Sequence, residues 1–133
     1  MSATKEITKN GPAKEPFRIL VVDDDPLMVE SVRICFSAKG HLVETASDGR
    51  EGLVLFENGK FDLVVLDYDM PDVKGDELAL LIKALAPNQP LIMITAEPEA
   101  LAANLPTEVD VVLGKPFEAD HLCAEADRLL KKC

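Results

Sequence analysis

Short apolar runs that stop abruptly at polar residues recur along this chain, separated by segments with helical periodicity. Phe17-Arg18-Ile19-Leu20-Val21-Val22 breaks off at Asp23-Asp24-Asp25. His41 to Ala46 is a second, mixed run. Phe61 to Leu66 is the most apolar and ends at Asp67. Leu91 to Ile94 ends at Thr95, and Val109 to Leu113 ends just before Lys115-Pro116. Runs of this length that are apolar at nearly every position suit strands buried on both faces, which is the condition of a parallel sheet. Parallel neighbours need long crossovers, usually helices, and the intervals carry helix signals. Asp25 is placed to cap a helix with Pro26 at its first position, where a missing N–H costs nothing. Asp48 with Glu51 three residues later forms a capping box for a short helix through about Glu57. Helices are also expected near Asp76 to Ala86, from Pro98 to Asn104 closed by Pro106, and from Glu118 to Lys132. The expected fold is therefore α/β, a doubly wound five-stranded parallel sheet with five helices on its two faces and a short fourth helix.

Residues 1–16 lack hydrophobic periodicity and read as a disordered tail, leaving residues 17–133 as one folded domain. No apolar run approaches the ~18 residues needed to span a bilayer, and the N-terminus has no secretion-type apolar region. Cys35, Cys123 and Cys133 are widely spaced and show neither a Cys-x-x-Cys nor a Cys/His grouping. That spacing argues against a zinc site or disulfide framework and for Cys35 and Cys123 as packing residues in a reducing, cytoplasmic compartment. The net charge of −10 and the lack of a basic stripe argue against nucleic-acid binding.

Ligands of open parallel sheets bind beyond the carboxyl ends of the strands. The expected strands deliver Asp23 and Asp24, Asp67, Thr95 and Lys115 to that edge. Taken singly, the aspartate triplet could serve only to cap a helix, Thr95 to end a strand, and Lys115 to solvate the surface. Their arrival together at one edge is the informative feature. Carboxylates brought this close must either hold protons or share a cation. Hard oxygen donors with open positions suit Mg²⁺, and no loop offers the closely spaced ligands of a Ca²⁺-binding EF-hand. A divalent ion and the Lys115 ammonium would both favour a phosphoryl group arriving at Asp67.

Leu20-Val21-Val22-Asp23-Asp24-Asp25, Leu66-Asp67-Tyr68-Asp69-Met70-Pro71 with Gly75, Ile94-Thr95-Ala96 and Lys115-Pro116-Phe117 together resemble the response-regulator receiver domain. The likeness runs from about Phe17 to the C-terminus. It implies the flavodoxin-like strand order 2-1-3-4-5, with Asp67 as phosphoacceptor, Asp24 as principal Mg²⁺ ligand and Asp23 assisting. The backbone carbonyl of Asp69 completes the implied ligand set, Thr95 contacts the phosphoryl group and Lys115 pairs with it. The implied donor is a phosphohistidine on a histidine kinase or phosphotransfer protein. The implied output is a downstream protein or a missing output domain, from a monomer or homodimer with no membrane contact. Such a protein is a regulatory phosphoacceptor rather than an enzyme.

Three features depart from the family pattern. Val112 stands where an aromatic residue usually precedes the lysine, the stretch from Thr95 to Lys115 is short, and Thr107-Glu108-Val109-Asp110 replaces the usual small-residue turn. Asp69 and Glu97 are both acidic at positions that border the phosphoryl group in this family; their effect on its lifetime is open at this level. Two other functions use some of these residues. Asp67-Tyr68-Asp69 after an apolar strand also fits the nucleophile motif of haloacid-dehalogenase-like phosphatases, but those place the motif on their first strand and their acidic pair late in the chain. A pseudo-receiver that only binds a partner would have no need of the acidic cluster.

Overall fold

Each apolar run forms a strand and each interval a helix. The computed structural model describes residues 16–103 and 109–131. In chain order the elements are β1 Arg18–Val22, α1 Pro26–Ala38, β2 Leu42–Ala46, α2 Gly49–Asn58 and β3 Leu63–Asp67. They continue with α3 Gly75–Leu85, β4 Leu91–Thr95, α4 Pro98–Ala103, β5 Val111–Gly114 and α5 Ala119–Leu130. The tail expected over residues 1–16, apart from Pro16, lies outside the described residues, as do Asn104, Pro106 and Lys132 at expected helix ends.

The strands pair in parallel in the order β2-β1-β3-β4-β5, as the resemblance implies. Alternation is present inside the apolar runs, but both of its phases are buried. Leu20 and Val22, Val64 and Leu66, and Leu91 and Met93 face one core with Phe56, Leu78, Ile82 and Leu101 from α2, α3 and α4. Ile19 and Val21, Leu63 and Val65, and Ile92 and Ile94 face a second core with Val32, Phe36, Leu122 and Ala126 from α1 and α5. Each fully buried Leu or Ile contributes roughly 1.5–3 kcal/mol. The three central strands thus form a rigid platform able to carry poorly solvated charge at its edge.

Local caps follow the sequence. Leu27 N–H donates to the Asp25 carboxylate at 3.0 Å, with Pro26 inside the first turn of α1. Glu51 N–H donates to Asp48 at 2.7 Å. The return half of that capping box closes on Ser47, whose N–H donates to Glu51 Oε1 at 2.9 Å.

Two expectations are corrected. The third strand begins at Leu63 rather than Phe61, because Phe61 stacks on Phe56 beneath the Arg18 guanidinium and Asp62 accepts from Arg18 N–H. The fifth strand runs Val111–Gly114 rather than from Val109. Its approach is taken up by Asp110, which donates its N–H to Leu91 O and accepts the Leu91 N–H on its carboxylate. Cys35 and Cys123, expected as packing residues, meet between α1 and α5 in the second core, with Cα atoms 7.2 Å apart. The two helices lie side by side on one face, a proximity that a separation of 88 residues does not disclose.

Candidate functional site

The chain turns back between β1 and β3: the connection after β1 goes outward to β2, and the next returns to β3. A crevice opens at such a reversal, beyond the carboxyl ends of the strands. The aspartate triplet that leaves β1 there divides its work. Asp25 caps α1. Asp23 is held by its own N–H to Ala46 O at 3.1 Å and is only 2% exposed. Asp23 and the exposed Asp24 both offer a carboxylate oxygen to the crevice, where β3 delivers the buried Asp67. Oxygens from Asp23, Asp24 and Asp67 lie within 4.8 Å of one another.

Lys115 enters from the end of β5. Its N–H donates to Thr95 O at 2.8 Å, and the Lys115–Pro116 peptide bond is cis. Its ammonium lies 3.2 Å from Asp67 Oδ1 and 3.9 Å from Asp23 Oδ2. Asp67 Oδ1 also accepts the N–H of Asp69 at 3.3 Å, so its other oxygen is the freer one. Thr95, buried at the end of β4, accepts Glu97 N–H on its hydroxyl oxygen at 3.1 Å, and its O–H proton is left to donate. A cavity of about 300 Å³ opens beside it, lined by Tyr68, Asp69, Asp76, Thr95 and Glu97 among others.

Glycine is required where the loop from β3 rejoins the fold. A Cβ on Gly75 would come within 2.7 Å of both Asp67 O and Tyr68 Cα, and 2.8 Å of Met93 Sδ. Two of those atoms are backbone of the site itself, so any side chain at Gly75 would displace Asp67.

Burial, reinforced by the neighbouring Asp67 charge, raises the Asp23 carboxyl to about 6, against the pull of Asp25 N–H and Lys115. Burial likewise raises Asp67, with Lys115 opposing. Burial lowers Lys115, but the charges of Asp23 and Asp67 outweigh it and hold the ammonium above its ordinary range. One cation therefore faces more negative charge than it neutralises. Asp23 Oδ2 is buried and makes no hydrogen bond. An orphaned carboxylate oxygen in an all-oxygen cluster fits a hard divalent cation such as Mg²⁺.

The structure thus brings together Asp23, Asp24, Asp67 and Lys115, with Thr95 and Asp69 at the margins. A family model described as the response regulator receiver domain matches residues 19–127. The chain belongs to this family. Among curated relatives, the response regulator MprA of Mycolicibacterium vanbaalenii is 39% identical over 119 residues, covering 88% of this chain and 52% of that protein. The transcriptional regulatory protein TcrA of Mycobacterium tuberculosis is 33% identical over 117 residues, covering 86% of this chain and 46% of that one. The receiver domain thus spans about half the length of the curated relatives it matches. Among solved structures, the response regulator TrrA of Thermotoga maritima, in complex with Mg²⁺-BeF, superposes with a TM-score of 0.78 at 32% identity. That alignment covers 85% of this chain and 98% of TrrA. The chemotaxis response regulator CheY4 of Vibrio cholerae superposes with a TM-score of 0.80 at 29% identity, covering 86% and 98%. Receiver domains are regulatory components of two-component signalling, not enzymes in the ordinary sense. No helix among the described residues is long and apolar enough to cross a membrane.

Sequence reasoning passed over Asp72. Its carboxylate accepts the N–H groups of Gly49 and Arg50, each at 3.2 Å, joining the loop after β3 to the start of α2. An exposed aspartate in a polar loop gives no local sign of a partner 22 and 23 residues earlier. Val112, where the family usually has an aromatic residue, is half-buried against the core that α2, α3 and α4 cover.

Proposed function

We propose that this receiver domain is a phosphoryl-accepting switch in a phosphorelay, with Asp67 as the acceptor. The observation that carries the reading is the Lys115 ammonium 3.2 Å from Asp67 Oδ1, inside a cluster of three carboxylates. Asp23, Asp24, Asp67 and the backbone carbonyl of Asp69 would hold Mg²⁺. When bound, the ion offsets the repulsion among the carboxylates and the charge that develops on the transferring group.

The residues of the chain do the remainder. The Asp67 oxygen not engaged by Lys115 and Asp69 N–H attacks the phosphorus of a partner's phosphohistidine. The P–O bond forms as the P–N bond breaks, and the departing imidazole leaves with the N–P electron pair and takes up a proton. Lys115, already paired with Asp67, shifts towards the new phosphoryl oxygens, and Thr95 turns its free O–H proton to them. Movement of Thr95 and Lys115 changes the surface around α4 and β5, favouring a state that a partner prefers. Val112 gives this step no aromatic side chain to rotate. The donor is a histidine kinase or phosphotransfer protein in the cytoplasm. Output passes to a further domain or a separate protein.

Incubation with Mg²⁺ and acetyl phosphate, or with beryllofluoride, tests the reading. Intact-mass analysis should show one added phosphoryl group, lost when EDTA replaces Mg²⁺. A chain that neither gains phosphoryl mass nor binds beryllofluoride overturns it.

The acyl phosphate is then lost to water, and the cavity beside Thr95 gives water a route. Asp69 and Glu97 border that route, and carboxylates there can take a proton from the attacking water. Asp69→Asn and Glu97→Ala should each lengthen the phosphoryl half-life a few-fold, measured as decay of the phosphorylated mass after the donor is removed. Unchanged half-lives in both variants would remove these residues from the dephosphorylation step.

A further inference from the structure

The loop between β3 and α3 carries Asp69 two residues after Asp67, and three anchors hold it. Met70 is buried in the core. Gly75 packs against the backbone of Asp67 and Tyr68 and donates its N–H to Tyr68 O at 3.1 Å. Between them stands the third anchor, Asp72, the only one of the three that is polar and exposed.

The amide donors at the start of α2 show what Asp72 does. A helix begins with N–H groups that have no partner within it. Asp48, the helix's own cap, serves the third of these, on Glu51. The first two, on Gly49 and Arg50, are served by Asp72, one by each carboxylate oxygen. The N–H groups of Val73, Gly49 and Arg50 hold the Asp72 carboxyl below its ordinary range, so it stays ionised opposite the positive end of the helix. The approach is close: a Cβ on Gly49 would lie 2.7 Å from Val73 Cβ and 3.0 Å from Val73 O. The loops after β2 and β3 flank the end of β1, so their union spans the side of the crevice that holds Asp23 and Asp24.

We propose that Asp72 is a positioning residue for the metal site, latching the loop after β3 onto the N-terminus of α2 and so fixing the Asp69 peptide for Mg²⁺. This role rests on the function proposed above. Met70 fixes where the loop enters the core. The orientation of the neighbouring Asp69 peptide depends also on where the chain beyond Met70 is tied down. Asp72 supplies that tie without touching the ion. Because it is exposed, its loss should loosen the loop without opening either core.

Tyr68 is the only tyrosine in a chain without tryptophan, so its fluorescence reports directly beside Asp67. In Mg²⁺ titrations followed by that signal, Asp72→Ala should weaken the metal by about three- to tenfold, the scale of a lost helix cap. Asp72→Asn retains an oxygen acceptor and should recover most of the affinity. Without metal, Asp72→Ala should also speed amide exchange at Gly49, Arg50 and the loop from Asp69 to Lys74. Asp48→Ala removes the other cap of the same helix and controls for simple helix destabilisation; its Mg²⁺ affinity should match wild type. The role is overturned if Asp72→Ala binds Mg²⁺ as wild type does, or if Asp48→Ala weakens binding equally. A wild type with no Mg²⁺ response overturns the proposed function together with this role, whereas a responding wild type matched by Asp72→Ala overturns this role alone.

Discussion

Asp67→Asn should take up no phosphoryl group from acetyl phosphate and Mg²⁺ under conditions in which wild type gains one per chain. The amide keeps the size of the side chain but removes the anionic oxygen that would attack phosphorus. It also removes one of the three charges that make the cluster a cation site. The other 23 acidic residues, from a total of 24, do not substitute. Among the carboxylates of the cluster, Asp67 is the one within 3.2 Å of the Lys115 ammonium, against 3.9 Å for Asp23. Loss of uptake will not reflect unfolding. Burial already raises the Asp67 pKa, so a neutral side chain suits the metal-free site at least as well as the carboxylate does. Thermal unfolding in EDTA should therefore show a midpoint no lower than wild type. Uptake by Asp67→Asn equal to wild type would place the phosphoryl group on another residue.

The second large effect concerns stability and pH. The Asp23 carboxyl lies at about 6 in the folded protein against an ordinary 3.8. The folded state therefore holds its proton more tightly than the unfolded state does. By linkage, this group's contribution is fully present below about 3.8 and is lost as pH rises to about 6. A shift of that size corresponds to about 3 kcal/mol at most. Asp23→Asn has no proton to lose. In EDTA its stability relative to wild type should climb between pH 4 and 6 and then level off, with Asp23→Asn the more stable protein at pH 7.5. Urea unfolding at pH 4, 5, 6 and 7.5 measures the difference. Saturating Mg²⁺ should reverse the order at pH 7.5, because wild type gains stability by binding the ion and Asp23→Asn lacks one of its ligands. A difference independent of pH, or a more stable wild type in EDTA at pH 7.5, would show that Asp23 is not held under this strain.

Both effects arise from one arrangement. The strands that supply Asp23 and Asp67 are buried on both faces, so their ends cannot shift to separate the charges. Lys115 offsets only part of the repulsion. The stability given up at this edge is what a cation would restore.

Much of this was legible in the chain. Apolar runs such as Leu63 to Leu66 and Leu91 to Ile94 declare central parallel strands because every position is apolar, not every second one. Asp25 with Pro26, and Asp48 with Glu51, declare helix starts because caps act within three residues. Elements with weaker patterns were less well bounded. Phe61 and Val109 are apolar enough to extend their strands, yet ring contacts claim the first and the Asp110 bridge to Leu91 cuts off the second.

By itself, the sequence determined the fold class and the roster of polar residues at the strand ends, because periodicity, capping and strand termination are short-range matters. Only the tertiary structure decided how those residues divide their work. It set the Lys115 ammonium nearer Asp67 than Asp23, left Asp23 Oδ2 without a hydrogen bond, brought Cys35 against Cys123, and sent Asp72 to the amides of α2. The physical reason is that charge repulsion, burial and hydrogen bonding depend on distances through space. Those distances are set by the order and twist of the strands, and residues far apart in the chain carry no local mark of meeting.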